Sequence, residues 1–91
     1  MSLSWDAKDP NEVLDYDLNW AARLSGDTIV TSTWLLADGA LVIDSEEQSG
    51  TATKVWLSGG AEGVSYTLTN RVVTSGNRTM DESVRIKIKS R

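Results

Sequence analysis

The sequence predicts an all-β domain, an immunoglobulin-like β-sandwich of about seven antiparallel strands spanning residues 1–91. Three observations carry this expectation. Short runs rich in Val, Ile, Thr and aromatic residues recur between turn clusters. The run "LDYDLNW" at 14–20 alternates with a period of two, as a half-buried strand does. The length of 91 residues is slightly below the ~100 usual for such a sandwich.

The elements follow in order. Residues 1–10 form an N-terminal arm or first strand, closed by the turn "DPN" at 9–11. In "LDYDLNW", Leu14, Tyr16, Leu18 and Trp20 share the inward face, and Asp15, Asp17 and Asn19 the outward one. "AARLSGDT" has room for a helical turn that Ser25, Gly26 and Asp27 stop early. "TIVTSTWLL" at 28–36 reads as a β-branched strand with Val30, Ser32 and Trp34 on one face. "ADG" at 37–39 signals a hairpin, "ALVI" at 40–43 a short return strand, and "DSEEQSG" at 44–50 a polar loop. "TATKVWL" at 51–57 is the next strand, and the glycine-rich "SGGAEG" at 58–63 the most flexible connection. "VSYTLTNRVVTS" at 64–75 is the longest strand signal, with Val64, Tyr66, Leu68, Asn70 and Val72 in register. After the turn "GNR" at 76–78, "ESVRIKIK" at 82–89 turns Val84, Ile86 and Ile88 inward. Tyr66 stands where such sandwiches place a tyrosine corner, and Trp34 where they place the core tryptophan. Trp34, Leu68 and Leu18 or Tyr16 then take over the volume of the missing inter-sheet disulfide.

Composition narrows the chemistry. There is no cysteine, hence no disulfide and no thiolate metal site. There is no histidine, which removes the commonest general base and zinc ligand. A net charge of −4 speaks against nonspecific nucleic-acid binding, which needs a basic surface. The opening "MSLSWDAKDP" shows no signal peptide, and no apolar run reaches a membrane span.

Asp15 and Asp17 are the one pair whose spacing invites a site. Residues i and i+2 of a strand project to the same side, a geometry open to Ca²⁺ or to paired-carboxylate chemistry. On a solvated sheet face, however, nothing raises a carboxyl pKa, so the solvated-face reading is preferred. Lys54 is expected opposite them if the second and fifth strands pair. "EE" at 46–47 with Asp44 reads as a solvated acidic patch, and "NRT" at 77–79 as a chance sequon. No serine lies in a nucleophile elbow, and "SGGAEG" lacks the Lys-[Ser/Thr] of a phosphate loop. The expectation is no catalytic residue, no cofactor and no metal.

Binding candidates remain. Alternation places Trp56 and Lys54 outward, opposite in sense to Val55 and Leu57. Trp5 lies in a polar segment. Exposed tryptophan anchors protein contacts, and it also stacks on sugars. Arg71, Arg85, Lys87 and Lys89 are expected on one outer face with no acid among them, opposite the Asp15/Asp17 face. Lysines on a terminal strand also discourage edge-to-edge aggregation.

Several of these stretches also carry a family resemblance: Lys8–Pro10, "LDY" at 14–16, Trp20, "GDTI" at 26–29, Trp34, "VWLSGG" at 55–60 and "TNR" at 69–71. Over nearly the whole chain the sequence resembles a family of small proteins encoded by tailed phages and prophages. These look like virion structural components with an immunoglobulin-like or fibronectin-like sandwich. The resemblance implies synthesis in the bacterial cytoplasm, a place in the virion head, neck or tail, and contacts with other virion proteins or with itself. It implies neither nucleic acid nor membrane as partner, and it carries over no catalytic residue. The alternative is a module that binds a host-surface glycan through Trp56 and the 58–63 loop.

One consequence is direct. Changing Asp15 and Asp17 together to Asn is expected to leave the melting temperature nearly unmoved, since an exposed pair with Lys54 contributes only ~0–1 kcal/mol. A loss of many degrees in a thermal melt would show that the carboxylates are structural.

Overall fold

The computed structural model describes residues 3–36 and 39–90. Seven strands alternate with turns: β1 (Leu3–Ser4), β2 (Leu14–Asn19), β3 (Ile29–Leu36), β4 (Leu41–Gln48), β5 (Ala52–Gly59), β6 (Ser65–Thr74) and β7 (Thr79–Lys87). A single helical turn, α1 (Ala21–Leu24), links β2 to β3. One sheet has the order β1-β7-β6-β3 and the other β2-β5-β4. Lettered A to G, these are A-G-F-C and B-E-D, an immunoglobulin-like arrangement with the first strand moved to the G side. β1 runs parallel to β7, and every other strand pair is antiparallel.

The core forms where the period-two faces meet. β6 buries Tyr66, Leu68, Asn70, Val72 and Thr74, five successive inward positions. β7 adds Val84 and Ile86, and Ile88 follows them into the core. From the other sheet come Leu18, Val55 and Leu57, with Trp20 and Leu24 closing one end. Tyr16 also points inward, where Trp5 stacks on it at 4.6 Å between ring centroids. Trp5 lies 5.7 Å from Trp34, so three aromatic rings close the gap between the sheets beside β1.

Three local readings change. Val30 does not share the Trp34 face: a β-bulge between Ile29 and Thr31 resets the alternation, burying Ile29 and exposing Val30. The segment after residue 39 does not return as a hairpin. β4 crosses to the opposite sheet and pairs with β5, while β3 pairs with β6. Of the expected turn "ADG", residues 37 and 38 lie outside the described residues. Nor is 44–50 a loop, since β4 continues through Gln48. The edge of β5 supplies backbone partners that outweigh the weak strand propensity of "DSEEQ", and a register shift between Ile43 and Ser45 absorbs the misfit. The inward-leaning side chains of this half of β4 then serve the neighbouring sheet. Glu46 Oε1 accepts from the Trp34 amide at 3.2 Å, and Gln48 Nε2 donates to the Val30 carbonyl at 2.9 Å. Side chains thus occupy backbone groups on the β3 edge that would otherwise invite another strand.

Two buried polar groups tie the sandwich together. Asn70 is fully buried and uses all four of its hydrogen-bonding positions. Its Oδ1 accepts from Trp20 Nε1 (2.9 Å) and Thr53 Oγ1 (2.7 Å). Its Nδ2 donates to Ser32 Oγ (2.9 Å) and to the Thr33 carbonyl (3.1 Å). Strand β6 is thereby joined to β3 in its own sheet and to β5 and the end of β2 across the core. Lys8 is also fully buried. Its Nζ donates to the carbonyls of Gly59 (2.7 Å) and Asp9 (2.9 Å), fixing the N-terminal arm to the end of β5. Burial pushes this ammonium below the usual lysine range, and the carboxylates of Glu12, Asp9 and Asp44 work in the opposite direction.

The glycine-rich connection is pinned as well. The amides of Gly60 and Gly63 donate to the carbonyls of Ala40 and Ile88. The Ala61 amide donates to Tyr66 Oη at 3.1 Å, which completes the expected tyrosine corner. Gly60 has φ +102°, and a Cβ there would lie 2.7 Å from Ile88 Cγ1, so only glycine fits the close approach.

Both polar ties are open to test. Asn70→Ala leaves the Trp20 and Thr53 donors and the Thr33 acceptor without their partner. It is expected to cost about 3–5 kcal/mol, read as a lowered urea midpoint at unchanged slope. Lys8→Met removes two charge-assisted hydrogen bonds but also relieves a desolvated charge. A net loss of about 1–3 kcal/mol, or roughly 5–15 °C in melting temperature, is expected. A Lys8→Met protein that melts at or above the wild-type temperature would remove the brace from the account.

Candidate functional site: two outer faces of opposite charge

The outer face of the β2-β5-β4 sheet is acidic. Strand register sets Asp15 opposite Trp56, and Asp17 opposite Lys54. On the far side of β5, Ser45 faces Trp56 and Glu47 faces Lys54. Asp15, Asp17 and Glu47 thus flank one ammonium, Lys54, whose Nζ is 3.5 Å from Asp15 Oδ2, while Asp44 lies further along β5 beside Ser58. This is the cross-strand pairing expected from the sequence. Both aspartates are exposed, and the space beside Asp15 is taken by the protein's own cation. Among the described residues, no group of three or more His, Cys, Asp or Glu is placed to hold a metal ion.

Trp56 lies at the middle of this face, half-buried, and is fixed there. Its Nε1 donates to Glu47 Oε2 at 3.1 Å. Val42, 49% exposed on β4, and Val13, 58% exposed just before β2, add apolar surface near it. Ser58 Oγ donates to Asp44 Oδ1 at 3.0 Å, holding that carboxylate over β5. Toward the other end of the face is an open depression of about 180 Å³, bordered by Asp17, Glu47, Gln48, Ser49, Thr53 and Lys54. Small-molecule pockets typically enclose ~300–1,000 Å³.

The outer face of the β1-β7-β6-β3 sheet carries the cations, with one correction. Arg71 does not stand free of acids, because Asp81 is its direct partner across β6 and β7. The pair is bidentate: Arg71 Nε to Asp81 Oδ1 at 2.9 Å, and Nη2 to Oδ2 at 3.1 Å. Hydrogen bonding to Arg71 holds the Asp81 carboxyl below its usual range and raises Arg71 in turn. The sequence reading passed over Asp81 because it placed the start of the last strand at residue 82, whereas β7 begins at Thr79. The unneutralised charge is further along β7, at Arg85 and Lys87, opposite Thr67 and Ser65. Among the described residues neither meets a carboxylate at ion-pair distance. Lys89 follows beyond the strand, near Glu62, whose carboxyl is lowered chiefly by hydrogen bonds from Ser90.

The other candidate, Trp5, is half-buried in the aromatic cluster with Tyr16 and Trp34, and its amide donates to the Arg85 carbonyl at 2.9 Å. It belongs to the seam between the sheets, whereas Trp56 belongs to an outer face. Sequence reasoning missed Val13 and Val42 as neighbours of Trp56, and it put Asp44 and Glu47 in a loop. No local signal marks this half of β4, since three apolar residues are followed by five polar ones and only pairing with β5 makes it a strand.

No helix among the described residues is long and apolar enough to cross a membrane. Comparison with the curated proteins finds no match. A family model does match, over residues 8–87, from the buried Lys8 to the last residue of β7. Its description is podophage GP4 fiber-tail adaptor protein gp77, and the chain belongs to that family of phage structural proteins.

Proposed function

We propose that this protein is a non-catalytic adaptor of the podophage tail, a folded spacer that holds a fibre component to the tail through protein–protein contacts. The observation that carries this reading is the family match over residues 8–87. The geometry supports it. Charged and aromatic side chains are spread across two outer sheet faces, the form in which one protein surface recognises another. Trp56 is the natural anchor of the acidic face: a large ring near its middle, locked by Glu47, with apolar surface beside it and carboxylates around it. In a virion the contact is repeated by symmetry, so a modest patch on each copy is enough to hold a fibre.

The reading is tested on particles made by a phage deleted for this gene. They are expected to lack attached fibres and to recover them when the purified wild-type protein is added, whereas Trp56→Ala restores fewer. Deleted particles that still bear their full complement of fibres would refute the adaptor role. Saturable quenching of tryptophan fluorescence by host polysaccharide, lost in Trp56→Ala, would instead identify a glycan-binding module.

A further inference from the structure

The two outer faces are complementary to each other. On one, Asp15, Asp17 and Glu47 flank a single lysine, Asp44 adds a carboxylate beside Ser58, and Trp56 with Val42 gives apolar surface between them. On the other, Arg85 and Lys87 project without carboxylate partners, and Leu35, 42% exposed on β3, adds apolar surface. They are the outsides of opposite sheets, so one molecule cannot bring them together. We propose that they meet between molecules, with the acidic Trp56 face of one copy docking on the Arg85/Lys87 face of the next.

The symmetry of such a contact follows from the charges. A two-fold dimer built on either face sets like charge against like, which is costly at close range. Opposite faces join only head to tail. Each added copy then presents the same two faces again, so the product is a ring if the rotation closes and a filament if it does not. The size is adequate. The principal extents of 41 × 25 × 21 Å give a face on the order of 1,000 Å², against the ~800 Å² per partner of a standard stable interface. The Arg71–Asp81 pair sits toward the other end of its sheet and is already neutral. That leaves Arg85 and Lys87 as the cations available for docking. The inference goes beyond the adaptor reading, which concerns contacts with other virion proteins.

The test is sedimentation velocity on the full chain at concentrations up to about 1 mM. Two ionic strengths are compared, with Debye lengths on the order of 20 Å and 4 Å. Wild type is expected to form assemblies larger than a dimer at low salt and to dissociate at high salt. Two double variants then separate the faces. Arg85→Glu with Lys87→Glu inverts the basic face, and Asp15→Lys with Asp17→Lys inverts the acidic one. Each alone should be monomeric at low salt. Mixed in equal amounts, they should associate, because the intact acidic face of one meets the intact basic face of the other, and the two inverted faces are complementary in turn. Wild-type protein that stays monomeric at low salt would overturn the proposal without needing either variant to fold. Variants that assemble singly as wild type does, or fail to pair when both are folded by circular dichroism, would overturn it too. None of these results touches the adaptor reading, which stands or falls on fibre attachment to deleted particles.

Discussion

The sandwich depends on one buried amide. Two sheets joined only by apolar packing slide past one another at little cost, because the hydrophobic effect has no preferred direction. Immunoglobulin domains set the register between their sheets with a disulfide from the second strand to the sixth. This chain has no cysteine, and Asn70 on β6 takes over that task with hydrogen bonds to Trp20, just past β2, and to Thr53 on β5. A fully satisfied network of this kind selects a single arrangement, because any slip leaves buried donors without acceptors. The large buried Trp20 is thus fixed at its nitrogen, and the Arg23 guanidinium lies over its ring 4.9 Å from the centroid.

Fixing the interior is what makes the outer faces usable. The cross-strand rows Asp15–Trp56–Ser45 and Asp17–Lys54–Glu47 keep their spacing because Val55 between them, and Leu57 and Leu18 on either side, are anchored in the core. Lys8 does the same for the end of β5, and the tyrosine corner for the turn that enters β6. The proposed adaptor role needs this stiffness more than it needs a cavity. The structure places its polar groups accordingly, deep in the seams or out on the flat faces.

Much of this was legible in the sequence, and the physical reason is uneven. β2, β6 and β7 keep a two-residue alternation, so most of their inward residues could be named in advance, including Asn70, although Val64, read in the same register, lies exposed just ahead of β6. The opposition of Lys54 to the aspartates followed from strand order alone. What escaped depends on long-range pairing. β4 is strand only because β5 offers it an edge, and the bulge after Ile29 shows no local signal. Lys8 is the sharpest case. A lysine next to an Asp-Pro turn looks solvated, and only the fold brings the Gly59 carbonyl to its ammonium. The resemblance motifs make sense in the same terms. Lys8 of the opening and Gly59 of "VWLSGG" are bonded to each other. Asp27 of "GDTI" accepts from Thr74 Oγ1 and Arg78 in the β6–β7 turn, at 2.8 and 3.2 Å, and "TNR" contains Asn70 and Arg71. These motifs mark fastenings of the sandwich, and "LDY" and "VWLSGG" also carry Asp15 and Trp56 of the acidic face.

The placement of β1 has a mechanical side. The segments at the two ends of the described chain lie next to each other and run in the same direction. They are joined where the Trp5 amide meets the Arg85 carbonyl, the Lys8 amide meets that of Lys87, and the Lys89 amide meets that of Lys8. Tension pulling these ends apart drags the two strands past each other lengthwise, so the bonds are strained together and do not peel open in sequence. Force entering through either end meets this clasp before it reaches the core.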